Sequence, residues 1–139
     1  MISNPKTEWS KRAKFAKPDE CFTPEYAIFP LLPYLKEKVI WDCAYGTGRL
    51  AEHFEKRGFI VVGKDTDFFN TNLDCNYIIT NPPYSLKDRF LERAFELGKP
   101  FAFLLPITAL EGIKRSPWFV VCWICYKLNL PKDLNFVNI

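Results

Sequence analysis

One histidine, His53, is all the imidazole that the 139-residue chain contains. Metal sites built on several histidines are thereby excluded, and a histidine-centred nucleophile triad has a single residue to stand on. No apolar run approaches the ~18–20 residues that cross a bilayer, which rules out a membrane span and any membrane partner. The stretch from Met1 to Lys17 has no apolar core segment, so it does not read as a secretory signal. Internal repeats and low-complexity linkers are lacking. Cysteine comes in an odd number, five: Cys21, Cys43, Cys75, Cys122 and Cys125. Without secretory context this fits a reducing, cytoplasmic compartment. Cys122 and Cys125 form a Cys-x-x-Cys inside an apolar run, with no second pair to complete a metal site. Buried, inert thiols are expected there, and no metal centre.

What is present is the composition of a soluble globular domain, 48% hydrophobic and 25% charged. A chain of this length makes one domain and can bury a full core without staples. Aromatics are abundant at 17%, and 11 prolines favour short elements over long helices. The net charge of +3 is unevenly spread, since within residues 1–17 Lys6, Lys11, Arg12, Lys14 and Lys17 oppose Glu8 alone. Those residues read as a basic arm ahead of a domain over residues 18–139. The arm is either a phosphate-contacting segment or an ordinary solvated terminus.

Short apolar runs alternate with amphipathic stretches, the pattern of an α/β domain with a largely parallel sheet. Thr23-Pro24-Glu25 predicts a helix start, with Thr as N-cap and Pro at the first helical position. Val39 to Cys43 predicts a buried strand. Arg49 to Arg57 follows as a helix stopped by Gly58 at C′. Phe59 to Gly63 predicts a second strand and Tyr77 to Thr80 a third. Ser85 is placed to cap a helix, with Asp88 at the capping-box position and Leu86, Phe90, Ala94 and Phe95 on one face. Gly98 and Pro100 end it. Phe101 to Leu105 is a fourth strand, Trp118 to Tyr126 another, and Leu134 to Val137 a short last one.

Two constellations carry chemistry. Asp42-x-Ala44-x-Gly46-x-Gly48 lies between a strand and a helix, where glycines allow a sharp turn and close ligand approach. The acid can accept hydrogen bonds from a ligand. Asp65, 17 residues after Gly48, is spaced to hold ribose hydroxyls. This is a nucleoside-binding layout, and its plain alternative is a tight turn. The third glycine of a dinucleotide fingerprint is replaced by Ala51, and the Lys-Ser/Thr ending of a P-loop is missing. Asn81-Pro82-Pro83-Tyr84 is the more specific signal. Two prolines fix an extended backbone and remove two donors. The Asn81 amide oxygen and the Pro82 carbonyl then suit an exocyclic NH₂, and Tyr84 offers a stacking face. A proline-rich turn is the plain alternative.

Together, Asp42-x-Ala44-x-Gly46-x-Gly48 and Asn81-Pro82-Pro83-Tyr84 resemble the two signature motifs of S-adenosylmethionine-dependent amino methyltransferases. The resemblance is to the N6-adenine DNA methyltransferases, especially short phage-type ones, and runs from about Phe22 to Pro106. It implies a Rossmann-like class I methyltransferase sandwich, with helices on both faces of a mostly parallel sheet. It also implies methylation of the N6 amine of adenine in DNA, with S-adenosylmethionine as cofactor. By the same resemblance Asp42, Ala44, Gly46 and Gly48 bind the cofactor and Phe22-Thr23-Pro24 covers its methionine end. Asp65 then holds the ribose, and Asp67-Phe68 reaches the cofactor's adenine. Asn81, Pro82, Pro83 and Tyr84 hold the target amine.

Two departures from the family stand out. A single residue separates Asp65 from Asp67, where relatives have a longer stretch. The 12 residues from Pro106 to Pro117 replace a helix and a strand, which implies a shortened C-terminal edge and no separate target-recognition domain. Lys114, Arg115 and the basic arm are the cations available for DNA phosphates, with ordinary surface charge as the alternative. The Trp118 to Tyr126 strand is an edge fit to pair with a second copy of the chain. A phage-encoded enzyme of this kind would work in the cytoplasm of a bacterial host. The other functions compatible with the motifs are methylation of an RNA base or a protein glutamine, or a catalytically reduced binding module.

Overall fold

The computed structural model describes residues 23–106 and 121–132. The basic arm, Cys21, Phe22, Lys114, Arg115, the start of the expected strand at Trp118 and the expected last strand at Leu134 to Val137 lie outside the described residues, as does most of the Pro106 to Pro117 connection.

Five strands form one sheet: β1 (Val39–Trp41), β2 (Ile60–Val62), β3 (Tyr77–Thr80), β4 (Phe101–Pro106) and β5 (Val121–Tyr126). Their order is β2-β1-β3-β4-β5. The first three pairings are parallel, with Val39 opposite Ile60, Ile40 opposite Tyr77 and Ile78 opposite Phe101. β5 runs antiparallel to β4, from Phe101 opposite Tyr126 to Pro106 opposite Val121. The chain is therefore an α/β domain with a mostly parallel sheet. β5 lies directly beside β4 at the edge of the sheet.

Alternation along the strands sorts side chains into two cores. Ile40, Tyr77, Ile79 and Ala102 face a layer made by α1 (Arg49–Glu55) and the residues around Ile28 and Leu31. Trp41, Ile78, Phe101, Phe103 and Leu105 face the other layer, made by α2 (Lys87–Leu97) and Phe68. Helices thus cover both faces. That is why β3 is buried at every position and reads as a continuous apolar run.

α1 ends as its sequence demands. Gly58 N–H donates to Glu55 O at 3.0 Å, and Phe59 N–H donates to Phe54 O at 3.2 Å. That pair of bonds is a Schellman closure, and it needs the left-handed φ of 88° that Gly58 supplies. The apolar contact belonging to it is Phe54 against Phe59, rings edge-on at 5.5 Å. Burying Phe54 anchors the helix, worth about 1.5–3 kcal/mol.

Both expected N-caps are corrected. Around Thr23 the chain makes a 3₁₀ turn, Glu25–Ile28, with Pro24 in the cap position and no side-chain cap. Thr23 has a different partner, described below. Ser85 sits inside another 3₁₀ turn, Tyr84–Leu86, and α2 begins at Lys87 without a side-chain cap. The expected face of α2 is also narrower than its pattern. Phe90 and Ala94 are buried, whereas Leu86 is 37% and Phe95 54% exposed. Phe95 lies edge-on to Phe101 and Tyr126 at 5.1 and 5.0 Å.

Among the described residues no helix is long and apolar enough to cross a membrane. β5 is tied to the front of the domain by Trp123, whose indole N–H donates to Ala27 O at 2.7 Å.

Candidate functional site

Strand order locates the site. The chain runs from β1 to β2 on one side, then returns to lay β3 on the other side of β1. The three strands are parallel, so their carboxyl ends share one edge. A reversal of order between neighbouring parallel strands opens a crevice at that edge. Asp42 leaves β1 into it, and Asn81 leaves β3.

Thr80, wholly buried at the end of β3, joins the two corners. Its hydroxyl donates to Asp42 Oδ1 at 2.6 Å and accepts from the Ala44 N–H at 3.2 Å. Asp42 is 1% exposed. Burial penalises its charge and raises the carboxyl from the ordinary 3.8 to about 6, while the bonds from Thr80 and Ala44 pull it back down. Beside it the Cys43 thiol is also pushed up, first by burial and then by the Asp42 charge.

Thr23 closes the cleft from the front. The Asn81 carboxamide Nδ2 donates to Thr23 Oγ1 at 3.1 Å. His53 Nε2 lies 2.8 Å from Thr23 O. A carbonyl only accepts, so Nε2 carries the proton. Among the described residues, the buried side-chain polar atoms with no hydrogen-bond partner are Asp42 Oδ2, His53 Nδ1 and Asn81 Oδ1. Folded proteins leave few such atoms unpaired, and each one calls for a reason. These three belong to two hydrogen-bonded groups, Asp42 with Thr80 and Ala44, and His53 with Thr23 and Asn81. Asp42 and Asn81 line a single cleft together with Thr23, Ala44, Tyr45 and Arg49.

Ala44, Tyr45 and Thr47 of the glycine loop line the cleft. Gly46 and Gly48 take φ of 55° and 83°, which glycine adopts without steric cost. A Cβ on Gly48 would meet the Tyr45 ring at 2.9 Å, so Tyr45 folds back over the loop. The cavity left holds about 10 Å³, roughly the room of one water. The chemistry of the donor set fits a ligand rich in N–H and O–H groups, because the partnerless Oδ2 and Oδ1 both accept.

The remaining expected residues fall elsewhere. Pro24 is half-buried at the head of the first 3₁₀ turn, and Phe22 lies outside the described residues. Asp65 is exposed, with a left-handed φ of 61°. Asp67 spends its carboxylate on its own turn, accepting from Phe69 N–H at 3.0 Å and from Asn70 Nδ2 at 2.6 Å. Those bonds hold its carboxyl below the usual range. Phe68 is 2% exposed, edge-on to Trp41 at 5.2 Å and stacked on Phe90 at 5.3 Å. Its ring is part of the apolar core. Pro82 is buried and Pro83 half-buried. Tyr84 opens a 3₁₀ turn and packs against the Trp41 and Phe90 cluster.

Three participants escaped the sequence reading: Thr80, His53 and Tyr45. Thr80 had a signal, a lone polar residue ending a strand that is otherwise apolar. His53 had a weaker one, an imidazole one turn from Leu50 on the helix after the glycine loop. No group of three or more His, Cys, Asp or Glu among the described residues could hold a metal. The Cys125 thiol is pushed up to about 11, by burial and then by Cys122, which disfavours a reactive thiolate. No protein-family model, curated protein or solved structure matches the chain.

Proposed function

We propose that the chain is an S-adenosylmethionine-dependent methyltransferase of the Rossmann-like class, acting on the N6 amine of adenine in DNA. The observation that carries this reading is the pair of buried acceptors without donors, Asp42 Oδ2 and Asn81 Oδ1, at the ends of adjacent parallel strands. S-adenosylmethionine, when bound, supplies a methyl group on a sulfonium to an amine nucleophile. Asp42, Ala44, Gly46 and Gly48 form the cofactor's side of the cleft, and Asn81 with the Pro82 carbonyl forms the amine's side. Accepting both amine hydrogens turns the nitrogen lone pair out of the conjugated plane. The same two acceptors stabilise positive charge as it develops on nitrogen. A methylated ammonium is acidic and gives its proton to water, so no histidine base is needed. An adenine in duplex DNA has to leave the stack. Stacking on Tyr84 would return ~1–3 kcal/mol of that cost.

A second reading, a reduced module that no longer transfers methyl groups, is favoured by the Tyr45 ring over Gly48 and the small cavity it leaves. One experiment separates the two. Melting temperature is measured with and without S-adenosylmethionine, and radiolabelled methyl transfer is followed in parallel to DNA, RNA and protein. A raised melting temperature with label in DNA is expected. A raised melting temperature without label in any acceptor selects the reduced module. Label in RNA or protein reassigns the substrate. No rise at millimolar cofactor removes the cofactor site. The β5 edge is proposed as the surface for a second copy, tested by mass against concentration.

A further inference from the structure

We infer that Thr23 is a positioning residue for Asn81 and that His53 holds Thr23 for that task. The inference rests on the methyltransferase reading, because it is the amine-accepting role of Asn81 that the positioning serves. A carboxamide has two unlike ends. Turned one way it offers an acceptor to an amine, and turned the other way it offers a second NH₂ that repels it. In this chain the nitrogen end is taken, since Nδ2 donates to Thr23 Oγ1 at 3.1 Å. The oxygen end is buried and receives no hydrogen bond, so it is the end left for a ligand. Thr23 is 5% exposed, so its hydroxyl is largely withdrawn from bulk water.

Thr23 lies just ahead of the first 3₁₀ turn and outside every strand and helix, so its placement needs an anchor. His53 provides one from α1, with Nε2–H on the Thr23 carbonyl at 2.8 Å across 30 residues of sequence. The chain His53, Thr23, Asn81 thus runs from the helix after the glycine loop to the corner after β3. The only histidine serves here as a fixed donor through Nε2.

The test uses Thr23→Val, which keeps the shape and removes the acceptor, and Thr23→Ser, which keeps the acceptor. Two quantities are read: hydrogen exchange of the Asn81 side-chain amide by ¹H–¹⁵N NMR, and kcat and KM of methyl transfer to DNA. Thr23→Val should exchange that amide roughly tenfold faster. It should lower kcat roughly 10- to 100-fold with a smaller change in KM. Thr23→Ser should restore both. His53→Leu should give the same pattern at smaller size. A folded Thr23→Val protein with parent-like amide exchange overturns the inference, and so does parent-like kcat in an active enzyme. If the parent transfers methyl to no acceptor, the methyltransferase reading falls, and the amide exchange alone decides whether Thr23 orients Asn81. Should Thr23→Val fail to fold, unchanged exchange in His53→Leu overturns the chain of positioning.

Discussion

Asp42→Asn removes a carboxylate that the fold holds at 1% exposure. In the folded chain this carboxyl titrates at about 6 against an ordinary 3.8. At 1.36 kcal/mol per pH unit the difference makes roughly 3 kcal/mol. The folded state binds the proton more tightly than the unfolded state. The contribution of Asp42 to stability is therefore complete below pH 3.8, declines through the interval and is lost above about pH 6. Asparagine cannot ionise and has no such decline. Its Oδ1 still accepts from Thr80, while its Nδ2 replaces Oδ2 without an acceptor, at about 1–3 kcal/mol whatever the pH. Urea unfolding of parent and variant from about pH 4 to about pH 7.5 isolates the carboxyl, because groups common to both, such as Asp67, cancel in the difference. The variant should gain roughly 2.4 kcal/mol on the parent across that range, since part of the decline is already complete at about pH 4. A difference that stays flat with pH would refute the argument that burial governs Asp42.

Asn81→Ala should lower methyl transfer roughly 100-fold or more while leaving the melting shift with S-adenosylmethionine intact, since it removes the amine's acceptor only. Tyr45→Ala vacates the space over Gly48, so calorimetry should show cofactor binding several-fold tighter, by removing a closed state from the competition. Gly63→Ala places a Cβ in the Trp41 ring and 2.9 Å from Asp42 O, at a φ of 110°. A loss of about 2–4 kcal/mol is expected in urea unfolding. Arg93 donates from Nε to Phe68 O and from Nη2 to Thr71 O, both at 3.0 Å. Arg93→Met keeps the stem and loses both bonds, so it should cost about 1–3 kcal/mol and speed amide exchange in residues 68–73.

Local chemistry made much of this fold legible. The apolar run of β3 and the glycine closures after α1 and α2 depend on nearby residues, and each stands where its pattern puts it. The Thr23 N-cap failed for a tertiary reason. The Thr23 hydroxyl has a partner 58 residues away in Asn81, which no local rule contains. The packing of Phe68 is likewise tertiary, since its ring partners are Trp41 and Phe90. The two corners of the cleft could be read from their glycines and prolines. Their adjacency could not, since it follows from strand order, and strand order is written in long-range pairing. Tyr45 was hidden because a loop aromatic can face outward or inward with the same sequence.

The hydroxyl of Thr80 gives both halves of the cleft a common fate. It is rooted in the strand that delivers Asn81, yet it grips the carboxylate and the backbone of the opposite corner. On the proposed function, an occupant that draws on Asp42 pulls on the partner of Thr80, the residue next to Asn81, so cofactor and amine would sense each other through that one hydroxyl. Such a coupling acts by the same factor in both directions, and Thr80→Val should abolish it.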